Sequence, residues 1–439
     1  MVAVLTFIII LGLLIFVHEL GHFMTARRNG IKAEEFGFGF PPRMVGIQFL
    51  RGKKMQPVRE IESVQVDMMD VKIGKNEIVR EIITEKIHNV DKMMPVRKWR
   101  IIWGSRDGDD ENEKKDLTDA HGDKLEGGTI YSLNWIPLGG FVKIKGEDGG
   151  SKKDTDSFSS KSAWIRIKVL AAGVTMNFVL AWFLISLGLA IGAPEPVDNA
   201  GGQNLKNTKI QISEALPDTP AVAAGLQTGD EILKNQIAAD GQKIEFKNIA
   251  DFQNYIASQK GLEINLKIAR GGKELDIKTT PRTEYPEGQG ALGVSLVETA
   301  IVRYPWYQAI YKGLIATLDL IVAIIAAFGM IIRNLLVGAK VGADISGPVG
   351  IAVLTGQVTA LGLVYVLQFA AILSVNLGII NALPIPALDG GRILFVIIEK
   401  INGRPVSQKV EQMFHTVGFI LLIMLMIFVT FKDVAKFVK

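Results

Sequence analysis

Residues Met1 to Ala26 form an almost uncharged apolar run, and His18-Glu19-Leu20-Gly21-His22 lies inside it. A run of this length crosses a hydrocarbon core as a helix, which takes about 20 apolar residues. A central acidic side chain at that depth costs on the order of 2.5–3.5 kcal/mol, so an ionisable group there signals a function. Two histidines four apart share one helix face and can bind one zinc ion, with Glu19 beside them to take a proton from water. Zinc held by protein ligands contributes on the order of 10–16 kcal/mol at neutral pH, enough to offset the burial of the charges. The bland alternative is a signal peptide or a plain anchor. Against it, the run has no basic n-region and no small-residue cleavage site before His18.

With 439 residues and 48% of them apolar, the chain reads as a membrane protein carrying soluble insertions. Its net charge is only +4, with Lys and Arg spread through loops, so no basic stripe argues for nucleic acid as a partner. It has no cysteine, which excludes disulfides, thiolate metal ligands and a cysteine nucleophile. Any metal must be held by His, Asp or Glu. Of the five histidines, His88, His121 and His415 stand in charged or interfacial contexts and are read as surface residues.

Four segments, at about 2–26, 164–193, 361–383 and 412–431, are apolar for long enough to span a bilayer. A fifth, about 309–332, is also apolar but carries Lys312, Asp319 and Arg333. Arg27, Arg28, Lys32 and Arg43 follow the first span, and Lys161, Arg166 and Lys168 open the second; both flanks are expected in the cytoplasm. The region after residue 193 is then extracytoplasmic. Lys400, Arg404 and Lys409 again mark the cytoplasmic side before the last span, whereas the Lys432 to Lys439 tail points the other way.

Between the first two spans, Phe36-Gly-Phe-Gly-Phe40 with Pro41 and Pro42 reads as a loop against the membrane. Residues 51–127 are densely charged. Val64, Val66 and Met68 alternate as in a strand, Ile78, Val79, Ile82, Ile83 and Ile87 have helical spacing, and 107–123 is an acidic loop; the expectation is a small insert of strand and helix. Asn134 to Lys145 is apolar and β-prone around a Gly-Gly pair. Two readings stand for it: a surface hairpin that packs helices, or a hairpin dipping toward the bilayer whose edge pairs with an extended substrate. The second matters because a helical peptide bond is buried in its own hydrogen bonds.

Residues 196–298 are polar, with short strands and turns. Ala221-Val-Ala-Ala-Gly-Leu-Gln-Thr-Gly-Asp230 resembles the small-residue helix and Gly-Leu-x-x-Gly-Asp turn of a PDZ domain. A turn at Ala239-Asp-Gly241, a helix at about 249–258 and strands at about 262–269 and 273–280 follow, an order similar to the circularly permuted PDZ domains of bacterial envelope proteases. Such a groove binds peptide ends. A plain spacer domain is the alternative.

Asn376-Leu-Gly-Ile-Ile-Asn381-Ala-Leu-Pro384-Ile-Pro386-Ala-Leu-Asp389-Gly-Gly-Arg392 breaks the later membrane region with prolines, glycines and an acid. Irregular backbone at this depth is tolerated only inside protein or lining a cavity. Asp389 is thus the natural third ligand. Two imidazoles and one carboxylate with an open fourth position make a catalytic zinc site rather than a structural one. A helix-capping role is the alternative for Asp389.

On these residues, together with Gly173-Val-Thr-Met-Asn177, the chain resembles the site-2 protease family, of the bacterial regulator-of-sigma-E type with a PDZ domain. The resemblance covers most of the chain outside 51–127. It implies a Zn2+ metalloprotease that cuts single-pass membrane proteins, often anti-sigma factors, within the bilayer, with His18, His22 and Asp389 as ligands and Glu19 as general base. It matches Asn177 and Asn381 to positions assisting the site or holding unwound substrate; Gly173 and Asn177 equally suit a small-residue helix contact and an interhelical hydrogen bond. Insert 51–127 is longer than the family's usual loop, and there is one PDZ domain where some relatives have two.

The expected fold is a polytopic α-helical membrane protein of the bacterial inner membrane, with about four transmembrane helices, a mixed α/β PDZ domain on the extracytoplasmic side and a cytoplasmic insert. Its expected parts are 1–30, the first transmembrane helix with the zinc motif; 31–160, a cytoplasmic loop holding insert 51–127 and a membrane-associated hairpin 131–147; 161–195, the second helix; and 196–298, the PDZ domain. After these come 299–360, interfacial or re-entrant; 361–400, the third helix with the aspartate motif; and 401–439, the fourth helix and tail. Parity motivates the interfacial assignment: an odd number of crossings must separate an outside PDZ domain from Asp389 at a zinc near the cytoplasmic end of the first helix. Expected partners are the bilayer, a substrate with a single transmembrane helix, and peptide ends at the PDZ domain. Two rival functions are an intramembrane divalent-metal transporter, which has no use for Glu19 or a PDZ domain, and a non-catalytic PDZ scaffold.

Overall fold

The computed structural model describes residues 2–73, 76–104, 125–151, 153–196, 208–237, 243–286, 289–338, 347–404 and 406–438, with the backbone alone over 51–97, 125–126 and 436–438 and at 196 and 408. The expected acidic loop 107–123 with His121, and the turn at Ala239-Asp-Gly241, lie outside these residues, and the side chain of His88 lies outside the description too. The chain divides into two units, Met1–Thr25 with Lys161–Lys439, and Ala26–Ser160.

In the first unit, helices α1 (Val2–Arg28) and α2 (Ala163–Ile191) are joined in space by α7 (Leu363–Ala382), counting in chain order. Their contact is built from Ile10 and Leu14 of α1, Leu180, Ala181 and Leu184 of α2, and Ala370, Ala371, Val375 and Ile379 of α7. Buried alanines at the crossing let the backbones approach, the usual device where lipid offers no hydrophobic drive to association. Helix α5 (Trp306–Val337) lies along α2: Gly313 packs on Ser186, Trp182 Nε1 donates to the Ile310 carbonyl at 2.9 Å, and Leu320, Ile321, Ile324 and Phe328 reach the shared core. Gly338, at φ +69, stops α5 in the left-handed conformation that glycine adopts without cost.

Helix α9 (Gln408–Val438) exposes Phe419, Leu421, Leu425 and Phe428, as a helix solvated by acyl chains does. Among the described residues, five helices are long and apolar enough to cross a membrane: α1, α2, α5, α7 and α9. The four expected spans are among them, and segment 309–332 is the fifth. Two shorter helices complete this part. Helix α6 (Pro348–Leu361) is apolar, and α8 (Asp389–Asn402) is amphipathic, tied to the start of α2 by an Arg166–Glu399 ion pair at 2.8 Å and by Lys400 stacked over Trp164.

Between α2 and α5 stand β4 (Ala193–Pro196), β5 (Lys209–Ala215), α3 (Pro220–Ala223), β6 (Glu231–Ile232), β7 (Asn235–Ile237) and β8 (Lys243–Glu245). There follow α4 (Ile249–Ser258), β9 (Ile264–Arg270), β10 (Lys273–Thr279) and β11 (Val294–Val302). Six of the strands form one antiparallel sheet in the order β10-β9-β6-β5-β11-β4. Alternate residues of β5 and β9, Ile210, Ile212, Ile264, Leu266 and Ile268, point inward against Phe246, Phe252 and Ile256. Asn248 caps α4 by accepting from the Asp251 amide at 2.9 Å. The helix at 249–258 and the strands near 262–269 and 273–280 thus stand where the sequence pattern put them.

The second unit is a three-stranded antiparallel sheet, β2-β1-β3, of β1 (Ala33–Ile73), β2 (Asn76–Trp103) and β3 (Leu125–Ile144). Strands β1 and β2 form one long hairpin, from Val45↔Trp103 to Ile73↔Asn76. The helix expected from Ile78 to Ile87 is therefore strand. Its isoleucines and valine are β-branched, favouring the pleated sheet over the helix, and this preference prevails over an approximate 3.6-residue spacing. The alternation at Val64, Val66 and Met68 does fall in strand. Asn134 to Lys145 belongs largely to β3, an edge strand, whose Gly140 and Ile144 pair with Phe38 and Ala33 of β1.

Candidate metal centre

Helical geometry sets His18 and His22 one turn apart on the inner face of α1, both buried. Glycines of the two helices make room for them. A Cβ on Gly21 would strike the Ala172 carbonyl, and a Cβ on Gly173 would overlap His22 Nε2 and stand 2.7 Å from His18 Nε2. The His22 Nδ1–H donates to the Val169 carbonyl at 2.8 Å. Because a carbonyl only accepts, that bond fixes the proton on Nδ1 and leaves the Nε2 lone pair aimed at the centre.

Asp389 comes from the irregular segment between α7 and α8. Pro384 and Pro386 prevent α7 from continuing, and the chain folds back so tightly that a Cβ on Gly390 would strike the Leu383 and Ala382 carbonyls and one on Gly391 the Ile385 carbonyl. Ala387, at φ +68, holds a left-handed conformation that is costly for an L-residue. The result delivers Asp389 Oδ2 to 2.9 Å from His18 Nε2 and 3.3 Å from His22 Nε2, while the two Nε2 atoms are 3.1 Å apart. Zinc–nitrogen bonds of about 2.0–2.1 Å in a tetrahedron put neighbouring ligand atoms roughly 3.3 Å apart. The three atoms therefore fit three apices, and the volume that a Cβ on Gly173 would fill is the cradle beside them.

Asn177, fully buried on α2, has Nδ2 3.1 Å from His18 Nδ1, while its Oδ1 is buried without a hydrogen-bond partner. Turning the carboxamide by half a rotation gives Oδ1 the Nδ1–H of His18 and leaves His18 Nε2 free to ligate. An orphaned acceptor beside a candidate ligand histidine is what a metal-loaded tautomer would satisfy. Ser374 of α7 donates to the Asn177 carbonyl at 2.8 Å, fastening α7 to α2 at this level. Glu19 is half-buried on α1 between the two histidines. Asn381, half-buried near the end of α7, has no hydrogen bond to the three converging side chains among the described residues.

Sequence reasoning missed His415. It was expected at the surface, yet its Nδ1 accepts the Ala387 N–H at 2.9 Å, within the segment that carries Asp389. The physical reason is tertiary: α9 crosses that segment, with Gly418 so close to Pro386 that a Cβ there would overlap it. The available signal was the spacing of His415 and Gly418, which puts both on one face of an apolar helix.

A model of Peptidase family M50 matches residues 6–58 and 121–425, leaving most of insert 51–127 outside the match. The chain is 31% identical over 454 residues to the "Zinc metalloprotease RasP" of Geobacillus kaustophilus (strain HTA426), covering 99% of this chain and 98% of that protein. It is 31% identical over 451 residues to the "Regulator of sigma-W protease RasP" of Bacillus subtilis (strain 168), with coverage of 99% and 98%. Likeness to the "Zinc metalloprotease RasP" of Oceanobacillus iheyensis (strain DSM 14371 / CIP 107618 / JCM 11309 / KCTC 3954 / HTE831) is 31% over 469 residues, covering 99% of both chains.

Proposed function

We propose, from the premise that the chain belongs to peptidase family M50, that this zinc metalloprotease cuts the transmembrane segments of single-pass membrane proteins inside the bilayer. Membership sets aside the transporter and the scaffold. The observation that carries the intramembrane reading is the convergence of His18, His22 and Asp389, whose ligand atoms lie within 4.8 Å of one another between apolar helices. His18 and His22 Nε2 and Asp389 Oδ2 would hold the zinc. When bound, zinc supplies Lewis acidity toward a water and a peptide carbonyl. The Glu19 carboxylate takes a proton from the attacking water as its oxygen bonds to the carbonyl carbon, then gives that proton to the leaving amine nitrogen as the C–N bond breaks. Gly173 keeps the pocket open, and Asn177 orients His18.

The plasma membrane of a bacterium is the proposed location. Four crossings, with α5 as part of a re-entrant excursion, fit the contacts of α6. Its first residues meet Asp433 near the end of α9, Gly356 meets Ala3 at the start of α1, and Ala360 and Leu361 meet Gly271 and Gly229 of the domain between α2 and α5. We take these contacts to lie on one side, extracytoplasmic by the basic flanks that follow α1 and open α2. Leu320 and Phe328 of α5 meanwhile pack against the helical core, which supports a chain that enters the bilayer and returns.

The 196–298 domain is read as a PDZ module. Its cleft of about 310 Å³, lined by Phe252, Ile256, Tyr285, Leu292, Val294 and neighbours between α4 and β11, is the proposed seat of a peptide end. As edge strand of its sheet, β3 can accept an extended substrate by strand addition. Anti-sigma-like regulators are the proposed substrates, in line with the name of the B. subtilis relative. The test is cleavage by the purified full chain of two single-span substrates, one with helix-breaking residues in its span and one with an uninterrupted leucine span. Cutting of the first alone is expected; cutting only in soluble flanks of both would overturn the intramembrane reading.

A further inference from the structure

We propose that His415 is a positioning residue that holds Asp389 in ligating geometry, an inference that rests on the zinc reading above. Asp389 is presented by an irregular backbone whose own bonds are those of tight turns, Ile385 N–H to the Leu383 carbonyl at 2.7 Å and Leu388 N–H to the Ile385 carbonyl at 3.3 Å. The segment from Leu383 to Leu388 is neither helix nor strand, and Ala387 stands at φ +68. Such a conformation persists only where its surroundings over-determine it.

Two contacts from one face of α9 do so. His415 Nδ1 accepts the Ala387 N–H at 2.9 Å, which places the imidazole proton on Nε2. One turn later, Gly418 packs against Pro386 so closely that only glycine fits. The chain is then bound on both sides of the Pro386–Ala387 peptide, two residues before the ligand. On the other side, Gly390 and Gly391 rest on the carbonyls of Ala382, Leu383 and Ile385. The last helix, which supplies none of the three converging ligand atoms, thereby fixes where the carboxylate points. Partners that orient a ligand typically change metal affinity 10–100-fold when lost, and His415 does so through the backbone two residues away.

The chemistry asked of His415 is narrow. It must present an acceptor at the Nδ1 position to a strained amide. Asparagine places its Oδ1 the same number of bonds from Cα as Nδ1, whereas leucine fills similar volume with no acceptor. The experiment compares His415→Leu and His415→Asn in full-length protein purified in detergent. The readouts are the zinc dissociation constant by chelator competition and the visible spectrum of the cobalt-substituted protein, neither of which needs turnover. His415→Leu is expected to weaken zinc about 10–100-fold and to shift the cobalt bands. His415→Asn is expected to stay close to the native values. Ala387→Gly added to His415→Leu is expected to recover part of the loss, because glycine needs no clamp to hold that backbone angle.

Equal zinc affinity in the leucine, asparagine and native proteins overturns the proposal, and so does an equal loss in both variants. If His415→Leu does not fold, Gly418→Ala decides instead, since its methyl displaces Pro386 without touching the imidazole; unchanged zinc affinity there overturns the clamp. Zinc content of the native chain and of His18→Ala, measured in parallel, separates the two levels. Zinc retained by His18→Ala removes the metal site itself, and the clamp with it.

Discussion

Gly173 faces His22 across the α1–α2 contact so closely that any Cβ at Gly173 would overlap His22 Nε2. A helix glycine costs roughly 1 kcal/mol relative to alanine, so its place here is set by the two imidazoles it faces and not by the helix. The open volume beside the two imidazoles exists because α2 carries no side chain at that point.

Gly173→Ala is therefore expected to lower zinc affinity at least about tenfold while raising the intrinsic helix propensity of α2. Zinc titration of the purified variant, alongside its thermal midpoint without metal, checks both halves. A native zinc affinity would mean that the methyl is accommodated and that the cradle is not the metal's.

Asn177 tests the orientation of His18. Replacing it by leucine removes the carboxamide beside His18 Nδ1 and is expected to weaken zinc by about 10–100-fold, with Asn177→Gln intermediate. If Asn177 served only to contact substrate, zinc affinity would be untouched and the Michaelis constant alone would rise.

Chelation of zinc is expected to abolish cleavage reversibly and to lower the thermal midpoint, because a ligand that binds the folded state alone stabilises it by about 2.7 kcal/mol at a hundredfold excess over its dissociation constant. In His22→Ala that zinc-dependent shift should vanish. Differential scanning with and without added zinc gives the answer, and an undiminished shift in His22→Ala would place the metal elsewhere.

The domain between α2 and α5 has its own anchor. Asp230, 1% exposed, accepts from Arg270 Nε at 2.6 Å, Arg270 Nη2 at 2.7 Å and the Gln227 amide at 2.8 Å. The same contact raises the pKa of Arg270. Asp230→Ala leaves a guanidinium without its carboxylate and a turn without its cap, and should destabilise this domain by about 3 kcal/mol. Hydrogen exchange of β9 would report the loss, while zinc content of the membrane part should be unaltered.

The three side chains that converge were legible in the sequence where helical periodicity decides it: His18 and His22 four apart, and Asp389 in a proline- and glycine-broken segment between apolar helices. What was not legible depends on tertiary crossings. Nothing local to His415 says that Ala387, 28 residues earlier, will lie under it. Gly173 and Asn177 were visible as a small residue and an amide on one helix face, but their facing the imidazoles required knowing how α1 and α2 cross. The stretch Ile78 to Ile87 is strand and not the expected helix because isoleucine spacing fits a helix face as easily as a strand, and the pairing with β1 decides.

The central claim is that Glu19 transfers the proton at a zinc held within the membrane. Cleavage of a helix-destabilised single-span substrate by purified native protein and by Glu19→Gln, at matched zinc content, tests it most directly. The account predicts that both bind zinc equally and only the native chain cuts. Equal cutting by Glu19→Gln would contradict it, since a carboxamide cannot accept and return the proton.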